Sequence, residues 1–232
     1  MQPPPRRPTS SQRRPAPRAK PDRRLLYGAA AALLVILAAW ALWPSAASTV
    51  TNLDSRGTAI VAFGDSLTAG VGANAEDSYP SHLAAALGTD LLNAGTSGDT
   101  SAAALARIDE VLARDPRIVI VGLGGNDFLR SISIAATEAN LREIVRRVHD
   151  AGAMVVLLGF RFPSLKANYE EMYERVAEEE KCLLVPDVLD GILSDAVLRS
   201  DPIHPNGKGY ALMAERIAEP LADLIAEADK AR

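Results

Sequence analysis

Ser66, Gly98, Asn126, Asp201 and His204 are the residues of this 232-residue chain whose types could together perform acyl transfer. A serine hydroxyl needs a base to take its proton, and the base needs a partner that holds its tautomer and stabilises its cation. Ser66, in Gly64-Asp65-Ser66-Leu67-Thr68, is the candidate nucleophile. His204 is the candidate base, in the loop Asp201-Pro202-Ile203-His204-Pro205-Asn206, and Asp201 can reach the imidazole from the same loop. The oxyanion of a tetrahedral intermediate needs hydrogen-bond donors placed in advance. Gly98, in Asn93-Ala94-Gly95-Thr96-Ser97-Gly98-Asp99, lets a backbone N–H approach with no side chain in the way. Asn126, in Gly124-Gly125-Asn126-Asp127, offers an amide, and the Ser66 N–H is a third donor.

Each segment alone has a plainer reading. Gly-Asp-Ser after a strand is commonly a turn, and Asp65 and Asp127 are expected to cap or brace turns rather than react. His149 falls at a helix end, where a cation suits the dipole. His82 falls in an alanine-rich helix, facing solvent or packed. The three histidines match no short metal motif, and the lone Cys182 excludes an intramolecular disulfide or a cysteine-cluster metal site. The joint occurrence of the segments carries the argument, and that depends on what positions them.

From Thr58 onward, short apolar runs alternate with helical stretches. The runs at 58–63, 90–95, 117–124, 153–160 and 182–186 read as strands. Helices are expected at 78–87, with Ser78 as N-cap and Pro80 in the first turn, at 102–112 and at 168–181. Leu141, Ile144, Val145 and Val148 follow the spacing of one amphipathic helix face. A last helix is expected from Pro205 or Asn206, interrupted or ended by Pro220. Apolar strands separated by helices predict a parallel sheet covered on both faces, with ligands beyond the carboxyl ends of the strands. Three of the polar segments directly follow a predicted strand.

With the segments FGDSLTAGVG (63–72), NAGTSGDTSAAALARI (93–108), LGGNDFLR (123–130) and DPIHPNGKGY (201–210) in this order, the chain resembles the SGNH (GDSL) hydrolase superfamily. Within it, the likeness is to the bacterial acyl-CoA thioesterase I, lysophospholipase L1 and arylesterase type, over roughly 58 to 225. The resemblance implies a flavodoxin-like three-layer α/β/α fold with a five-stranded parallel sheet and no cofactor. It implies Ser66 as nucleophile, His204 as general base and acid, Asp201 as its orienting partner, and Ser66, Gly98 and Asn126 as the oxyanion hole. The stretch 160–168 follows the fourth strand, so Phe160, Arg161, Phe162 and Pro163 are expected to border the acyl pocket.

Charge locates the chain. The first 24 residues hold eight basic groups against one acid, a net +7, and seven of the 15 prolines. They are expected to be disordered. Residues 25–43 carry no charge, and as a helix at about 1.5 Å per residue they would span roughly 28 Å, close to the ~30 Å of a bilayer core. Tyr27, Trp40 and Trp43 suit the two interfaces, and the arginines place the tail in the cytoplasm. The rest, 44–232, carries a net −11, which disfavours nucleic acid as a partner.

The expected organisation is a tail over 1–24, a signal anchor over 25–43, a linker over 44–57 and a hydrolase domain over 58–228. Anchored in a bacterial inner membrane, the domain lies outside the cytoplasm. The alternative is a signal cleaved after Ser45-Ala46-Ala47, with release of the body. The expected protein is a monomeric hydrolase of carboxylic esters or thioesters. Its rivals are an acetylesterase of envelope polysaccharide and a catalytically silent envelope binding module.

Overall fold

The computed structural model describes residues 49–161 and 168–232. The predicted tail, the predicted spanning helix, and Phe162 and Pro163 lie outside the described residues. Among the described residues, no helix is long and apolar enough to cross a membrane.

Five strands, β1 (Ala59–Gly64), β2 (Leu91–Gly95), β3 (Pro116–Gly122), β4 (Met154–Leu158) and β5 (Leu183–Val185), form one parallel sheet in the order β2-β1-β3-β4-β5. Each lies within about two residues of an apolar run read from the sequence. Every residue of β4 is buried. Successive side chains point to opposite faces, so both faces of the sheet centre are covered. Leu92 of the edge strand β2 is 43% exposed, since β2 has a neighbour on one side only. In this order the chain reverses direction across the sheet between β1 and β3, and the crevice beyond those two strands is where such sheets bind ligands.

The covering helices are α1 (Ser66–Ala69), α2 (Tyr79–Leu87), α3 (Ser101–Ala106), α4 (Ile108–Leu112), α5 (Gly125–Leu129), α6 (Ile134–Asp150), α7 (Tyr169–Glu180) and α8 (Gly207–Lys230). Helix α2 packs on α8, while α6 packs on α3 and α7. Leu141, Ile144, Val145 and Val148 of α6 are buried together, as their spacing requires. Ser78 caps α2 through the Ser81 N–H, with Pro80 in the first turn.

Two expectations about helices fail, each for a physical reason. The single helix predicted over 102–112 is broken at Arg107, whose backbone leaves the helical region (φ −115°, ψ 12°). Its guanidinium is drawn inward, donating to Asp99 Oδ2 at 2.7 Å and to the Gly64 carbonyl at 3.0 Å, and lies 4.6 Å from the centre of the Phe63 ring. Pro220 neither interrupts nor ends α8, which runs through it to Lys230. A mid-helix proline costs about 3 kcal/mol. Ile217, Leu221 and Leu224 on either side are fully buried, and each such side chain is worth about 1.5–3 kcal/mol, so the packed stripe outweighs the lost bond.

Residues 50–57, read as part of the linker, lie against the body. Val50 is buried, and Asn52 Nδ2 donates to the carbonyls of His149 and Ala153 at 2.8 and 3.0 Å, tying this segment to the end of α6. His149 is governed by that packing more than by the helix dipole. Burial holds its pKa below the ordinary imidazole value, which favours the neutral ring over the cation expected from the sequence.

Candidate active site

Three glycines stand in register at the carboxyl ends of adjacent strands: Gly95 on β2, Gly64 on β1 and Gly122 on β3. They let α1 sit directly on the strand ends. A Cβ on Gly95 would lie 2.2 Å from the Ala69 nitrogen, and one on Gly64 would lie 2.1 Å from Thr68 Oγ1. Thr68 is pinned from behind, its hydroxyl 3.0 Å from that of the buried Tyr79. Ser66 is therefore presented on a short helix resting on β1 at the switch between β1 and β3. Sequence reading passed over this row, although its sign was visible: all three strands end in glycine.

Asp65 caps α1, its Oδ1 accepting the Leu67 N–H at 3.0 Å. Across the crevice, α5 brings Asn126 from β3, and its Nδ2 donates to Asp65 Oδ2 at 3.2 Å and to the Asp99 carbonyl at 2.9 Å. Asp127 turns away from the crevice, accepting the Ser101 N–H and hydroxyl at 2.8 and 2.5 Å and the Thr137 hydroxyl at 3.2 Å. Both aspartates brace and cap, as read from the sequence.

The fourth segment arrives before α8. Asp201 Oδ1 accepts the N–H groups of Ile203 and His204 at 2.8 and 2.9 Å, which curls the loop so that its own Oδ2 meets His204 Nδ1 at 2.7 Å. The His204 bond, followed by those N–H groups, holds the Asp201 carboxyl below its ordinary pKa. On the other side of the ring, His204 Nε2 lies 3.0 Å from Ser66 Oγ. With the Nδ1 proton turned to the carboxylate, the Nε2 lone pair faces the serine hydroxyl.

Ser66, Gly98, Asn126 and His204 all line one cavity of about 1090 Å³. Its walls include Phe128, Leu129, Leu189 and Leu193, so the opening beside the serine is largely apolar. Of the four residues expected to border an acyl pocket, Phe160 and Arg161 line this cavity. Among the described residues, no group of three or more His, Cys, Asp or Glu is placed to hold a metal ion.

Asp65 was visible in the sequence, but its electrostatics were not. It is 2% exposed, and burial pushes its pKa up to about 6 despite the Leu67 and Asn126 bonds. A carboxyl whose pKa rises on folding costs stability once it ionises. From an ordinary value near 3.8, the penalty is absent below about pH 4, grows up to about pH 6 and is complete above it. Two units correspond to about 3 kcal/mol. Asp65→Asn is therefore expected to lose about 3 kcal/mol of the decline in urea-unfolding stability that the wild type shows between pH 4 and pH 7. Identical pH dependence in both proteins would show that Asp65 does not titrate in this way.

A hydroxyl in line with an imidazole and a carboxylate, beside an apolar cavity at the end of a parallel sheet, is equipped for acyl transfer. Fold and site together define a hydrolase of acyl groups built on a five-stranded parallel sheet. The profile of the GDSL-like lipase/acylhydrolase family matches residues 62–212, and the chain belongs to that family, as an SGNH-type hydrolase of carboxylic esters or thioesters. It is 33% identical to esterase TesA of Pseudomonas aeruginosa over an alignment of 178 residues that covers 72% of this chain and 89% of that one. It is 34% identical to thioesterase 1/protease 1/lysophospholipase L1 of Escherichia coli K12, again over 178 residues, covering 72% and 84%. Among solved structures, the psychrotrophic esterase EstA of Pseudoalteromonas, inhibited by monoethylphosphonate, superposes with a TM-score of 0.65 at 27% identity, covering 72% of this chain and 98% of that one.

Proposed function

We propose that the protein hydrolyses acyl esters and thioesters through an acyl-enzyme formed on Ser66. The observation that carries this is the continuous series from Ser66 Oγ to His204 Nε2 at 3.0 Å and from His204 Nδ1 to Asp201 Oδ2 at 2.7 Å. Ser66 Oγ attacks the acyl carbonyl carbon as its proton passes to Nε2. The oxyanion is met by the Asn126 amide and the N–H groups of Gly98 and Ser66. Both hydrogens of the Asn126 amide are engaged in the free enzyme, and the longer bond, to Asp65, gives way to the oxyanion. As the intermediate collapses, the alcohol or thiol leaves with the Nε2 proton. Water then repeats the sequence on the acyl-enzyme, giving up one proton to His204, and Ser66 recovers it as the acid departs.

The relatives named esterase, thioesterase and lysophospholipase support acyl esters and thioesters as the substrate class. The net −11 of the body and the acids Asp187 and Asp190 on the cavity wall, where Glu170 is paired with Arg161, favour neutral or zwitterionic esters. A fluorophosphonate probe is expected to label the wild type at one site, the peptide containing Ser66, and to leave Ser66→Ala unlabelled. Equal labelling of both proteins would remove Ser66 from the mechanism.

We infer further that residues 25–43 anchor the chain in the inner membrane, with the arginine-rich tail in the cytoplasm and the hydrolase outside it. Their uncharged length and the sharp change of charge on either side support this. Membranes from cells making the full chain should retain it through alkaline carbonate washing. Quantitative release into the wash would show that it does not span the bilayer.

A further inference from the structure

The side chain of Arg130, at the end of α5, reaches back to the loop that carries Gly98. Its Nη2 donates to the Gly98 carbonyl at 2.8 Å. Gly98 sits in a turn from Thr96 to Asp99, closed by the Asp99 N–H donating to the Thr96 carbonyl at 3.2 Å. At the third position of that turn, with φ +85°, Gly98 has the geometry of a type II turn. The absence of a side chain lets the Gly98 N–H face a substrate, but it also leaves the rotations on either side of Gly98 without steric restraint. An oxyanion donor must be held in place before the charge arrives, so the turn needs to be gripped from outside.

Three contacts grip the turn. The Asp99 carbonyl takes the Asn126 amide at 2.9 Å, the Asp99 carboxylate takes Arg107 Nε at 2.7 Å, and the Gly98 carbonyl takes Arg130. Asn126 lies in the first turn of α5, and Arg130 is its C-cap, with its N–H on the Asn126 carbonyl at 3.0 Å. Four residues apart, the two side chains leave the same side of the helix. One short helix thus supplies a donor of its own and clasps the loop that supplies another. The Arg130 side chain is exposed and is not part of the cavity wall, which sets it apart from a residue that would hold the acyl group.

We propose that Arg130 is a positioning residue of the oxyanion hole: by holding the Gly98–Asp99 peptide unit it limits rotation about Gly98, and so keeps the Gly98 N–H of the preceding Ser97–Gly98 unit and the Asn126 amide on one aim. This rests on the acyl-enzyme reading above. The guanidinium is suited to the task because its planar fork loses little freedom per bond formed, whereas a lysine offers a mobile point charge. The consequence is confined to the transition state, in which the oxyanion exists, and leaves ground-state binding alone.

The test compares Arg130→Met and Arg130→Lys with the wild type on p-nitrophenyl butyrate and on an acyl-CoA, whose leaving group is anionic, at low and high salt. Because Arg130 is exposed, both variants are expected to keep the wild-type melting temperature within about 2 °C, consistent with the small effects of surface substitutions. Arg130→Met should lower kcat about tenfold on both substrates, with KM within about twofold, and should slow phosphonate inactivation by the same factor at either salt. Arg130→Lys should recover part of the loss. Unchanged kcat would overturn the assignment. So would a defect confined to the KM of the acyl-CoA and abolished by salt, which would make Arg130 a contact for the leaving group. A wild type inert to the phosphonate overturns both this inference and the acyl-enzyme reading, whereas a reactive wild type with an equally reactive Arg130→Met overturns this inference alone.

Discussion

Ser66→Ala is expected to lower kcat for p-nitrophenyl acyl esters by at least about 10⁴-fold, the scale on which triad enzymes respond to loss of a member. Among the described residues, Ser66 is the serine whose hydroxyl lies against His204 Nε2, at 3.0 Å. The nearest hydroxyl on α1, Thr68 Oγ1, is buried and bonded to Tyr79, facing away from the cavity behind Ser66. Nor does the change threaten the fold: the Asp65 cap, the glycine row beneath α1 and the Tyr79 contact do not involve the Ser66 hydroxyl. The prediction extends to pairs. His204→Ala should be as damaging, and the double variant little worse than either single one, because proton acceptor and nucleophile act as one unit. Additive losses would mean that Ser66 and His204 serve separate steps. Wild-type turnover in purified Ser66→Ala would show that the acyl-enzyme forms elsewhere or not at all.

Asn126→Ala is expected to lower kcat by about 10²–10³-fold with KM nearly unchanged, the range for loss of one preorganised oxyanion donor. Its amide is positioned before substrate arrives by two acceptors, the Asp99 carbonyl and Asp65 Oδ2, and the hydrogen bonded to Asp65 is the one turned to the oxyanion. The variant also strips a partner from a buried carboxyl. The Asn126 bond helps keep the Asp65 pKa down, so its removal should move that pKa above about 6. Two readouts separate these effects. Loss of the donor slows phosphonate inactivation and ester turnover in parallel at every pH, whereas the Asp65 effect appears as a shift in the pH dependence of unfolding stability. A kcat loss below about fivefold would leave the oxyanion to backbone N–H groups alone.

Much of the fold could be read locally. β-rich apolar runs separated by amphipathic or capped helices mark a covered parallel sheet, because those patterns are set by backbone periodicity and burial within a few residues. The polar segments after the strands could be read for the same reason: they are short, contiguous and rich in glycine. What burial and side-chain reach decided could not. Arg107 breaks a helix whose composition is favourable, since the Asp99 carboxylate and, at the end of β1, the Gly64 carbonyl and the Phe63 ring draw it inward. Pro220 is tolerated because its neighbours along α8 are packed against the body.

The sequence by itself determined which residues could do the chemistry, on which side of the strands they lie, and that a tail of +7 precedes a body of −11. Residue type, spacing and net charge are local or additive, and they survive without coordinates. Only the tertiary structure decided that Ser66 meets His204 across 138 positions, that burial lifts the Asp65 pKa, and that Arg130 holds the Gly98 carbonyl. Those facts depend on the order in which β1 and β3 are laid side by side. That order is set by the packing of the whole sheet, and no single segment encodes it.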